Sequence, residues 1–257
     1  MQQYVGTSHH DGVCFLTLDR PDKRNALSGV FMEQLAAAIA RIAGDAGTRV
    51  VILRGNGPAF CAGLDLGELE EPGALGSLDG LLVENVLKPL EACRQPTIAM
   101  VHGDAIAGGC QLALHCDLRV AAADARFAMP VARIGLAAPY PLTLKLVETI
   151  GVAATKELLF TGEPISGERA FALGMVNRVV QAAALEEAAL ALASTIAANA
   201  PLAVTAMKQY VRRAGRALTD LPHDDLAVFA ERIRQSADLR EGLLARRERR
   251  KASFTGR

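Results

Sequence analysis

The stretch that most constrains the fold is Thr97–Asp117, which reads TIAMVHGDAIAGGCQLALHCD. It begins as an apolar run with β-branched residues, which is typical of a buried strand. Gly103 then permits a turn, and the apolar residues that follow Gly108 and Gly109 have helical spacing. A buried strand that leads through glycines into a helix N-terminus can present backbone N–H groups to an anion. We therefore expect the functional site at this stretch.

The composition limits the class of protein. A chain of 257 residues with 51% hydrophobic content can bury one large core. Its 28 basic and 28 acidic side chains cancel, so global charge gives no reason to expect a nucleic-acid or membrane partner. No apolar run reaches the ~18 residues of a membrane span, and we see no signal-peptide pattern. The five cysteines form no CxxC pair, so we expect reduced thiols in a cytoplasmic protein.

The chain alternates strand and helix patterns in its first half and is almost entirely helical in its last third. A grouping of two strands and a helix recurs loosely, which suggests a coiled stack of related units. Residues 67–79, rich in Gly and Glu, are predicted to form a surface loop and a candidate lid. Strands are predicted at 13–19, 50–53, 118–122 and 127–130, and helices at 28–43, 81–93, 142–160, 166–173, 184–198, 201–214 and 222–247.

Several common sites are absent from the sequence. The stretch Gly103–Gly109 is followed by Cys110 rather than by the Lys and Ser or Thr of a P-loop, and no dinucleotide-binding glycine fingerprint lies between a strand and a helix. No Gly-x-Ser-x-Gly nucleophile elbow is present. The five histidines are not spaced as metal ligands, so we predict no metal site.

Two motifs read together carry a resemblance to a known family. Phe60–Leu66 (FCAGLDL) and Ile106–Leu112 (IAGGCQL) are similar to motifs of the enoyl-CoA hydratase/isomerase, or crotonase, family. The resemblance extends over essentially the whole chain. Further motifs that support it are Arg20–Leu27 (RPDKRNAL), Cys116–Leu118, Phe160–Gly162, Ala170–Gly174 and the basic C-terminal stretch Arg246–Phe254.

The resemblance implies an α/β fold, a crotonase-like spiral of ββα units with a C-terminal helical trimerisation region. We accordingly divide the chain into a spiral core, 1–198, and a helical oligomerisation region, 199–257. The implied assembly is a homotrimer or a hexamer built as a dimer of trimers. The implied ligand is an acyl-CoA thioester of fatty acid metabolism. No separate cofactor is expected, since CoA is part of the substrate.

The resemblance also assigns roles to individual positions. The backbone N–H groups of Leu64 and Gly108 match the family's oxyanion hole, where the dipole of the following helix would help to stabilise an enolate oxygen. Only the N–H group is needed at Leu64, so its bulky side chain is acceptable. Lys23 and Arg24 are placed to meet CoA phosphates, although they also suit a solvated turn. The positions assigned to CoA binding are Lys23, Arg24, Ala26, Ala62, Leu64, Asp65 and Leu66.

The sequence departs from the family pattern at the catalytic acids. Family hydratases carry two glutamates that position and activate water, and here these positions hold Gln111 and Val131. An amide cannot exchange a proton near neutral pH, and valine has no polar side-chain atom. We therefore do not expect ordinary hydration, although the oxyanion hole could stabilise an enolate formed by another route. Gln111 could still hold a water molecule or the thioester by hydrogen bonds.

Two nearby residues leave alternatives open. Tyr140, predicted to lie in the apolar loop 135–141, could protonate a substrate. Malonyl-type acyl-CoA decarboxylases of the family place a Tyr there and need no glutamate base, but they tend to carry a His where this chain has Leu64. Asp104 suits a turn but could reach the pocket. The alternatives are thus a hydratase- or isomerase-like enzyme, such a decarboxylase, or a non-catalytic acyl-CoA carrier or sensor.

Overall fold

The protein is described by a computed structural model that covers residues 2–70, 74–219 and 231–255. The chain forms two compact units. One contains Met1–Phe127 and Ser166–Arg212, and the other contains Ala128–Ile165 and Arg213–Arg257.

The bounds of the elements are as follows. The strands are β1 (Val5–His10), β2 (Val13–Leu18), β3 (Val50–Gly55), β4 (Ala59–Cys61), β5 (Thr97–Val101), β6 (Asp104–Ile106), β7 (Leu118–Ala122), β8 (Arg126–Ala128), β9 (Ile165–Ser166) and β10 (Arg178–Val180). The α-helices are α1 (Gly29–Gly44), α2 (Ala74–Leu81), α3 (Lys88–Ala92), α4 (Gly108–Leu114), α5 (Tyr140–Thr161), α6 (Gly167–Ala172), α7 (Leu185–Ala197), α8 (Pro201–Thr219) and α9 (Ala237–Arg247). A π-helical segment, Leu82–Leu87, joins α2 to α3.

The first unit is built around a six-stranded sheet with the order β1-β2-β3-β5-β7-β10. All neighbours in this sheet are parallel except β1, which pairs antiparallel with β2. Every residue of β2 and β5 is buried, as expected for parallel strands that are covered on both faces. Helix α7 packs against β3, β5 and β7.

Strand β1 was not predicted from the sequence, although a signal for it is present. The turn between β1 and β2 is Asp11-Gly12, and both residues have positive φ, +47° and +78°. A two-residue hairpin turn of this type favours Asp-Gly because both positions need a left-handed backbone. The Asp-Gly dipeptide directly before the apolar run Val13–Leu18 could therefore have revealed the hairpin.

A second, four-stranded sheet has the order β4-β6-β8-β9, with β4 parallel to β6. Strand β6 occupies the short interval between Gly103 and the start of α4 and was also missed. Its three residues are too few for a periodic pattern, and it is defined by pairing with a strand distant in sequence. Its strands β4 and β6 directly precede the segments that carry Leu64 and Gly108.

Most of the predicted elements are confirmed. Helix α1 begins after Ser28, whose Oγ accepts a hydrogen bond from the Phe31 N–H at 3.2 Å, as predicted for an N-cap. The predicted loop 67–79 is wrong in part, because Leu66–Glu70 is a 3₁₀ helix and α2 begins at Ala74. Residues 71–73 of that loop and 220–230 of the predicted helix 222–247 lie outside the described residues.

The second unit contains a helix that changes direction at a glycine. Helix α5 is interrupted at Gly151, whose φ of +74° and ψ of 168° are not helical. In the same unit the C-terminal segment folds back onto α9. Arg250 donates to both carboxylate oxygens of Glu241 at 2.6 and 2.9 Å, and the Ser253 N–H donates to Glu241 at 2.9 Å.

Two further points concern the organisation of the chain. The boundary after residue 198, between a spiral core and an oligomerisation region, stays a prediction.

Within the described residues, no single helix has the length and apolar character needed to cross a membrane. One bent pair of helices, Ala182–Ala197 with Pro201–Gly215, meets those criteria by length and composition only.

Candidate functional site

Leu64 lies on a short segment that is fixed from both sides by the backbone of Leu27. The Leu27 N–H donates to the Gly63 carbonyl at 2.7 Å, and the Asp65 N–H donates to the Leu27 carbonyl at 2.9 Å. Gly63 has a φ of +90°, a left-handed backbone that glycine adopts readily. These contacts define the orientation of the Leu64 peptide group, which lies between them.

Gly108 begins α4 directly after a strained residue. Ala107 precedes the helix with φ +49° and ψ −114°, which is a rare backbone conformation for a residue with a Cβ atom. Such conformations cost about 1–3 kcal/mol and cluster at functional sites. Here the strain occurs where the chain turns from β6 into α4, and it sets the direction of the first N–H group of the helix. The sequence offers no signal for it, since alanine is normally a helix former.

The two glycine-containing segments touch through their backbones. A Cβ atom on Gly63 would lie 3.1 Å from the Gly108 nitrogen, and a Cβ atom on Gly108 would lie 3.6 Å from the Leu64 nitrogen. The amide groups of Leu64 and Gly108 are therefore neighbours. Within the described part of the chain, neither N–H group donates a hydrogen bond. Two adjacent donors without acceptors can receive one anionic oxygen.

Gln111 lies one helical turn after Gly108 and is only 7% exposed. Its backbone N–H donates to the Ala107 carbonyl at 2.9 Å, in the regular manner of α4. Its side-chain amide has no hydrogen-bond partner among the described residues. A side-chain amide can both donate and accept, so these atoms are available to a polar ligand or a water molecule.

Leu82 is a site residue that sequence reasoning missed. This leucine is fully buried, and its Cδ2 would lie 3.2 Å from a Cβ atom on Gly108. It is the first residue of the π-helical segment, and π-helical turns occur frequently at functional sites. Leu82 thus forms an apolar wall beside Gly108. Its apolar character in a helical pattern could not have distinguished it from other core leucines.

Asp65 follows Leu64 directly and is held by an ion pair. Its Oδ2 lies 2.7 Å from Nη1 of Arg20, whose Nη1 also donates to the Ala26 carbonyl at 3.0 Å. Its Oδ1 accepts from the Gly67 N–H at 3.1 Å. Both carboxylate oxygens therefore have protein partners, and these contacts brace the segment that carries the Leu64 N–H.

Asn25 links two of the predicted motifs. It is fully buried, and its side-chain amide donates to the carbonyls of Asn56, Ala59 and Phe60 at 2.9, 2.8 and 3.2 Å. Its Oδ1 accepts from the Arg20 N–H at 2.8 Å. The motif Arg20–Leu27 is thereby fixed against β4, which explains why both motifs are needed to build one site.

The positions predicted to bind CoA lie on these two linked segments. Lys23 and Arg24 are exposed at the end of the 3₁₀ turn Pro21–Lys23. The Arg24 carbonyl accepts from the Ala62 N–H at 3.0 Å, which brings the two segments together. Ala26 and Leu66 are half-buried. Their role in CoA binding stays a prediction.

Asp104 is engaged by an arginine. Arg126 donates to both of its carboxylate oxygens, at 2.6 and 2.8 Å. Hydrogen bonding to this carboxylate raises the pKa of the Arg126 guanidinium. The pair joins β6 to β8, so Asp104 would have to exchange this bidentate partner before it could act on a ligand.

Val131 and Tyr140 belong to the second unit and are described within it. Val131 is half-buried on the 3₁₀ turn Pro130–Ile134, and its carbonyl accepts from the Leu136 N–H at 2.9 Å. The placement of Tyr140 in a loop is wrong, because Tyr140 is the first residue of α5 and the loop ends at Pro139. Proline at the second position of the helix favours this start, since its missing N–H is unpaired there in any case.

The five cysteines are all buried and free. Burial raises the pKa of Cys61, Cys110 and Cys116 to about 12, so these thiols stay protonated at neutral pH. In the described part of the chain, no three His, Cys, Asp or Glu side chains are grouped as a metal site.

Comparisons with known proteins agree on one family. The sequence model of the enoyl-CoA hydratase/isomerase family matches residues 8–257. The chain is 36% identical over 203 residues to a short-chain-enoyl-CoA hydratase of Clostridium acetobutylicum, covering 78% of each protein. It is 32% identical to 2,3-dehydroadipyl-CoA hydratase of Escherichia coli, covering 97% of this chain and 98% of the relative. A solved structure of methylmalonyl-CoA decarboxylase complexed with 2S-carboxypropyl-CoA matches with a TM-score of 0.92 and 31% identity over the whole of both chains.

Proposed function

Because the chain belongs to the enoyl-CoA hydratase/isomerase family, we propose that it binds an acyl-CoA thioester and stabilises the thioester enolate at the N–H groups of Leu64 and Gly108. Family membership confirms the predicted resemblance and the α/β, crotonase-like fold class. The observation that carries the proposal is the pair of adjacent backbone donors without acceptors beside the unpartnered amide of Gln111.

The enolate oxygen would accept one hydrogen bond from each of the two N–H groups. Fixed donors in a site that excludes water favour the developing negative charge without reorganisation, and removal of one such donor typically lowers kcat by about 10²–10³-fold. The partial positive charge at the first turn of α4 acts in the same direction. The strain at Ala107 is consistent with this role, since it directs the Gly108 N–H.

The side chains at the two positions where family hydratases carry glutamates argue against efficient hydration. Gln111 can donate or accept a hydrogen bond but cannot move a proton, and Val131 can do neither. We therefore assign Gln111 the binding of a water molecule or of the thioester carbonyl. The reaction then has to generate its enolate without a glutamate base at either position.

Crotonyl-CoA hydration tests this proposal. The wild type is expected to hydrate crotonyl-CoA slowly, and the double variant Gln111→Glu/Val131→Glu is expected to be faster. Gln111→Glu alone is the matched control, because it restores one carboxylate. A wild-type turnover near ~10³ s⁻¹, at the upper end of typical enzymes, would contradict the proposal.

A second candidate is decarboxylation of a malonyl-type CoA ester. The match to methylmalonyl-CoA decarboxylase over the whole chain favours it. Loss of CO₂ breaks the bond between the carboxylate and the α-carbon, and the electron pair passes onto the thioester oxygen, so no base is required. Tyr140 would then protonate the α-carbon of the enolate and so complete the turnover. The presence of Leu64 where such decarboxylases tend to carry a His leaves only the backbone donor at that position.

Release of CO₂ from malonyl-CoA and methylmalonyl-CoA tests the second candidate. Tyr140→Phe is expected to slow protonation of the enolate, and Tyr4→Phe serves as the control because the Tyr4 hydroxyl makes an exposed hydrogen bond to Gln2 at 3.3 Å. If CO₂ release is absent, or is unaffected by Tyr140→Phe, the candidate is wrong. Tight binding of acyl-CoA with no product from either class of ester would instead indicate a carrier or sensor.

Assembly and location form the last part of the proposal. Helix α8 exposes large apolar side chains, namely Leu202, Met207, Tyr210 and Val211. Burial of this surface between copies would favour the homotrimer, or the hexamer made of two trimers, that the family resemblance implies. Light scattering would give the mass of the assembly, and Val211→Glu would be expected to lower that mass.

The buried free thiols suit a reducing compartment such as the cytoplasm. No cofactor beyond the CoA moiety of the substrate is proposed.

A further inference from the structure

Arg119 is a buried cation that the proposed reaction does not use. It is the second residue of β7 and is only 9% exposed. Its Nε donates to the Met175 carbonyl at 2.5 Å, and its Nη1 donates to the Cys116 carbonyl at 2.8 Å. Its backbone is also fixed, because the Arg119 N–H donates to Oδ1 of Asn177 at 2.9 Å.

The guanidinium lies at the C-terminal end of α4. Its Nη1 also reaches the Ala113 carbonyl, in the last turn of the helix, at 3.4 Å. Carbonyls at a helix C-terminus lack intrahelical partners and carry the negative end of the helix dipole. Arg119 thus occupies the end of α4 opposite to the Gly108 N–H.

The charge of Arg119 is not neutralised by direct contact with a carboxylate. Within the described residues, its side-chain donors reach backbone carbonyls only. The neighbouring Asp117 is directed elsewhere, since its Oδ2 accepts from Thr97 and from Nζ of Lys208 at 2.7 Å. Burial lowers the pKa of the guanidinium, but arginine begins so far above neutrality that it stays charged.

We propose that Arg119 is a positioning residue of the thioester site, which acts through α4 on the anion held at Gly108. The inference rests on the proposed function. Arg119 acts in two ways. Its Nη1 contacts the Ala113 carbonyl in the last turn of α4 and the Cys116 carbonyl just after the helix, and it thereby anchors this end of α4 and fixes the direction of the Gly108 N–H at the other end. Its positive charge also attracts the enolate along a helix that is only seven residues, or about 10 Å, long.

The size of the electrostatic part follows from Coulomb's law. For unit charges separated by about 15 Å, the length of the helix plus the contacts at its two ends, at an effective dielectric constant of about 20, the attraction corresponds to roughly a five- to tenfold change in an equilibrium or rate constant. The effect applies to an anionic state of the ligand and not to a neutral one. A purely structural arginine would change the binding of both states together.

The test compares an anionic with a neutral ligand. A 2-nitronate acyl-CoA is a stable anion that shares its negative charge between the nitro oxygens and the thioester oxygen, and the thioether analogue of the same chain is neutral. For Arg119→Met we expect the Kd of the nitronate to rise about five- to tenfold and the Kd of the thioether to change less than twofold. Arg119→Lys, which keeps the charge but not the fork, should lose less nitronate affinity than Arg119→Met.

Arg54→Met is the matched control. Arg54 lies on β3 and pairs with Glu186 at 3.4 Å. Arg54→Met therefore makes the same substitution, with the same loss of one positive charge, at a different place. It should leave the ratio of nitronate to thioether affinity unchanged. If Arg119→Met does not fold, Arg119→Gln and Arg119→Lys are compared, and equal affinity ratios in these two variants would overturn the electrostatic role.

Two outcomes separate this inference from the proposed function. Equal losses of affinity for both ligands in Arg119→Met would show a structural role and overturn the inference. A wild-type protein that binds the nitronate no better than the thioether would contradict the proposed oxyanion site itself. The inference and the proposed function are both supported if the wild type binds the nitronate preferentially, and if this preference is lost in Arg119→Met and kept in Arg54→Met.

Discussion

Gly109 lies so close to Cys61 that a Cβ atom on the glycine would be 2.1 Å from the Cys61 carbonyl oxygen. The second residue of α4 therefore packs directly on the backbone of β4. Gly108 directly precedes Gly109, and Leu64 follows Cys61 by three residues, so this contact helps to set the spacing of the two free N–H groups. A side chain of any size at position 109 would force the two segments apart.

Gly109→Ala is expected to lower the free energy of unfolding by at least about 2 kcal/mol, because a buried backbone atom would have to move. Catalysis or ligand binding at the Leu64 and Gly108 amides should fall in parallel. The control is Gly44→Ala at the exposed end of α1, where a Cβ atom meets nothing within 4 Å. That variant should be neutral or more stable by up to about 1 kcal/mol in urea unfolding. Equal stability of the two variants would refute the packing argument.

Asn25→Ala is expected to lower the free energy of unfolding by about 2–3 kcal/mol, because the buried carbonyls of Ala59 and Phe60 would lose their donor. Asn25→Asp should lower the free energy of unfolding further at neutral pH, since a carboxylate would face the same carbonyls. Asn199→Ala, which removes an exposed amide bonded to the Thr195 carbonyl, should change stability by less than about 0.5 kcal/mol. Urea unfolding of the three variants at pH 7 would measure the difference.

The ion pair of Arg20 with Asp65 is expected to show a coupling energy of about 1–3 kcal/mol in a double-mutant cycle. Its side chains are only 14% and 18% exposed, so solvent screens the pair weakly. The exposed pair of Lys88 with Glu84, at 60% and 59%, is the control and should couple by no more than about 0.5 kcal/mol. The cycle with Arg20→Met and Asp65→Asn would be read by thermal unfolding. Similar coupling in both pairs would argue against a bracing role for Asp65.

Glu241 should give the protein part of its acid sensitivity. Hydrogen bonds from Arg250 and from the Ser253 N–H lower the pKa of Glu241 to about 2. A carboxyl whose pKa is lower in the folded than in the unfolded state stabilises the fold above the unfolded pKa, near 4.5, and this stabilisation is lost as the pH falls towards 2. NMR titration of the Glu241 carboxyl should have its midpoint near pH 2. Glu241→Gln should lack that part of the acid transition, and a midpoint near 4.5 would contradict the contacts of Arg250.

The cysteines should be unreactive in the folded protein. Burial raises the pKa of Cys14 to about 11 and that of Cys61 and Cys110 to about 12, and only the thiolate is a good nucleophile. At pH 8 we expect a disulfide reagent to label less than one thiol per chain in the native state on the time scale of minutes. All five should react in urea. Rapid labelling of more than one thiol in the native protein would contradict the burial of these cysteines.

Local patterns in the sequence were sufficient for much of the fold. The strands at Val13–Leu18 and Leu118–Ala122 and the helix capped by Ser28 follow from apolar periodicity and capping chemistry, which depend on neighbouring residues only. Elements made by distant pairing were missed, as β6 was. Tyr140 begins α5 because proline is tolerated at the second position of a helix, and the apolar pattern of residues 135–141 does not carry that information.

The sequence by itself determined the family, the glycine-rich segments at Gly63 and Gly108, and the replacement of two acids by Gln111 and Val131. These properties are fixed by residue type and order. Only the tertiary structure decided that the Leu64 and Gly108 amides are neighbours without acceptors and that Asp65 is bound by Arg20. It also placed Arg119 at the far end of α4. These relations join residues that are separated in sequence, and their distances depend on how the backbones pack, which no local pattern encodes.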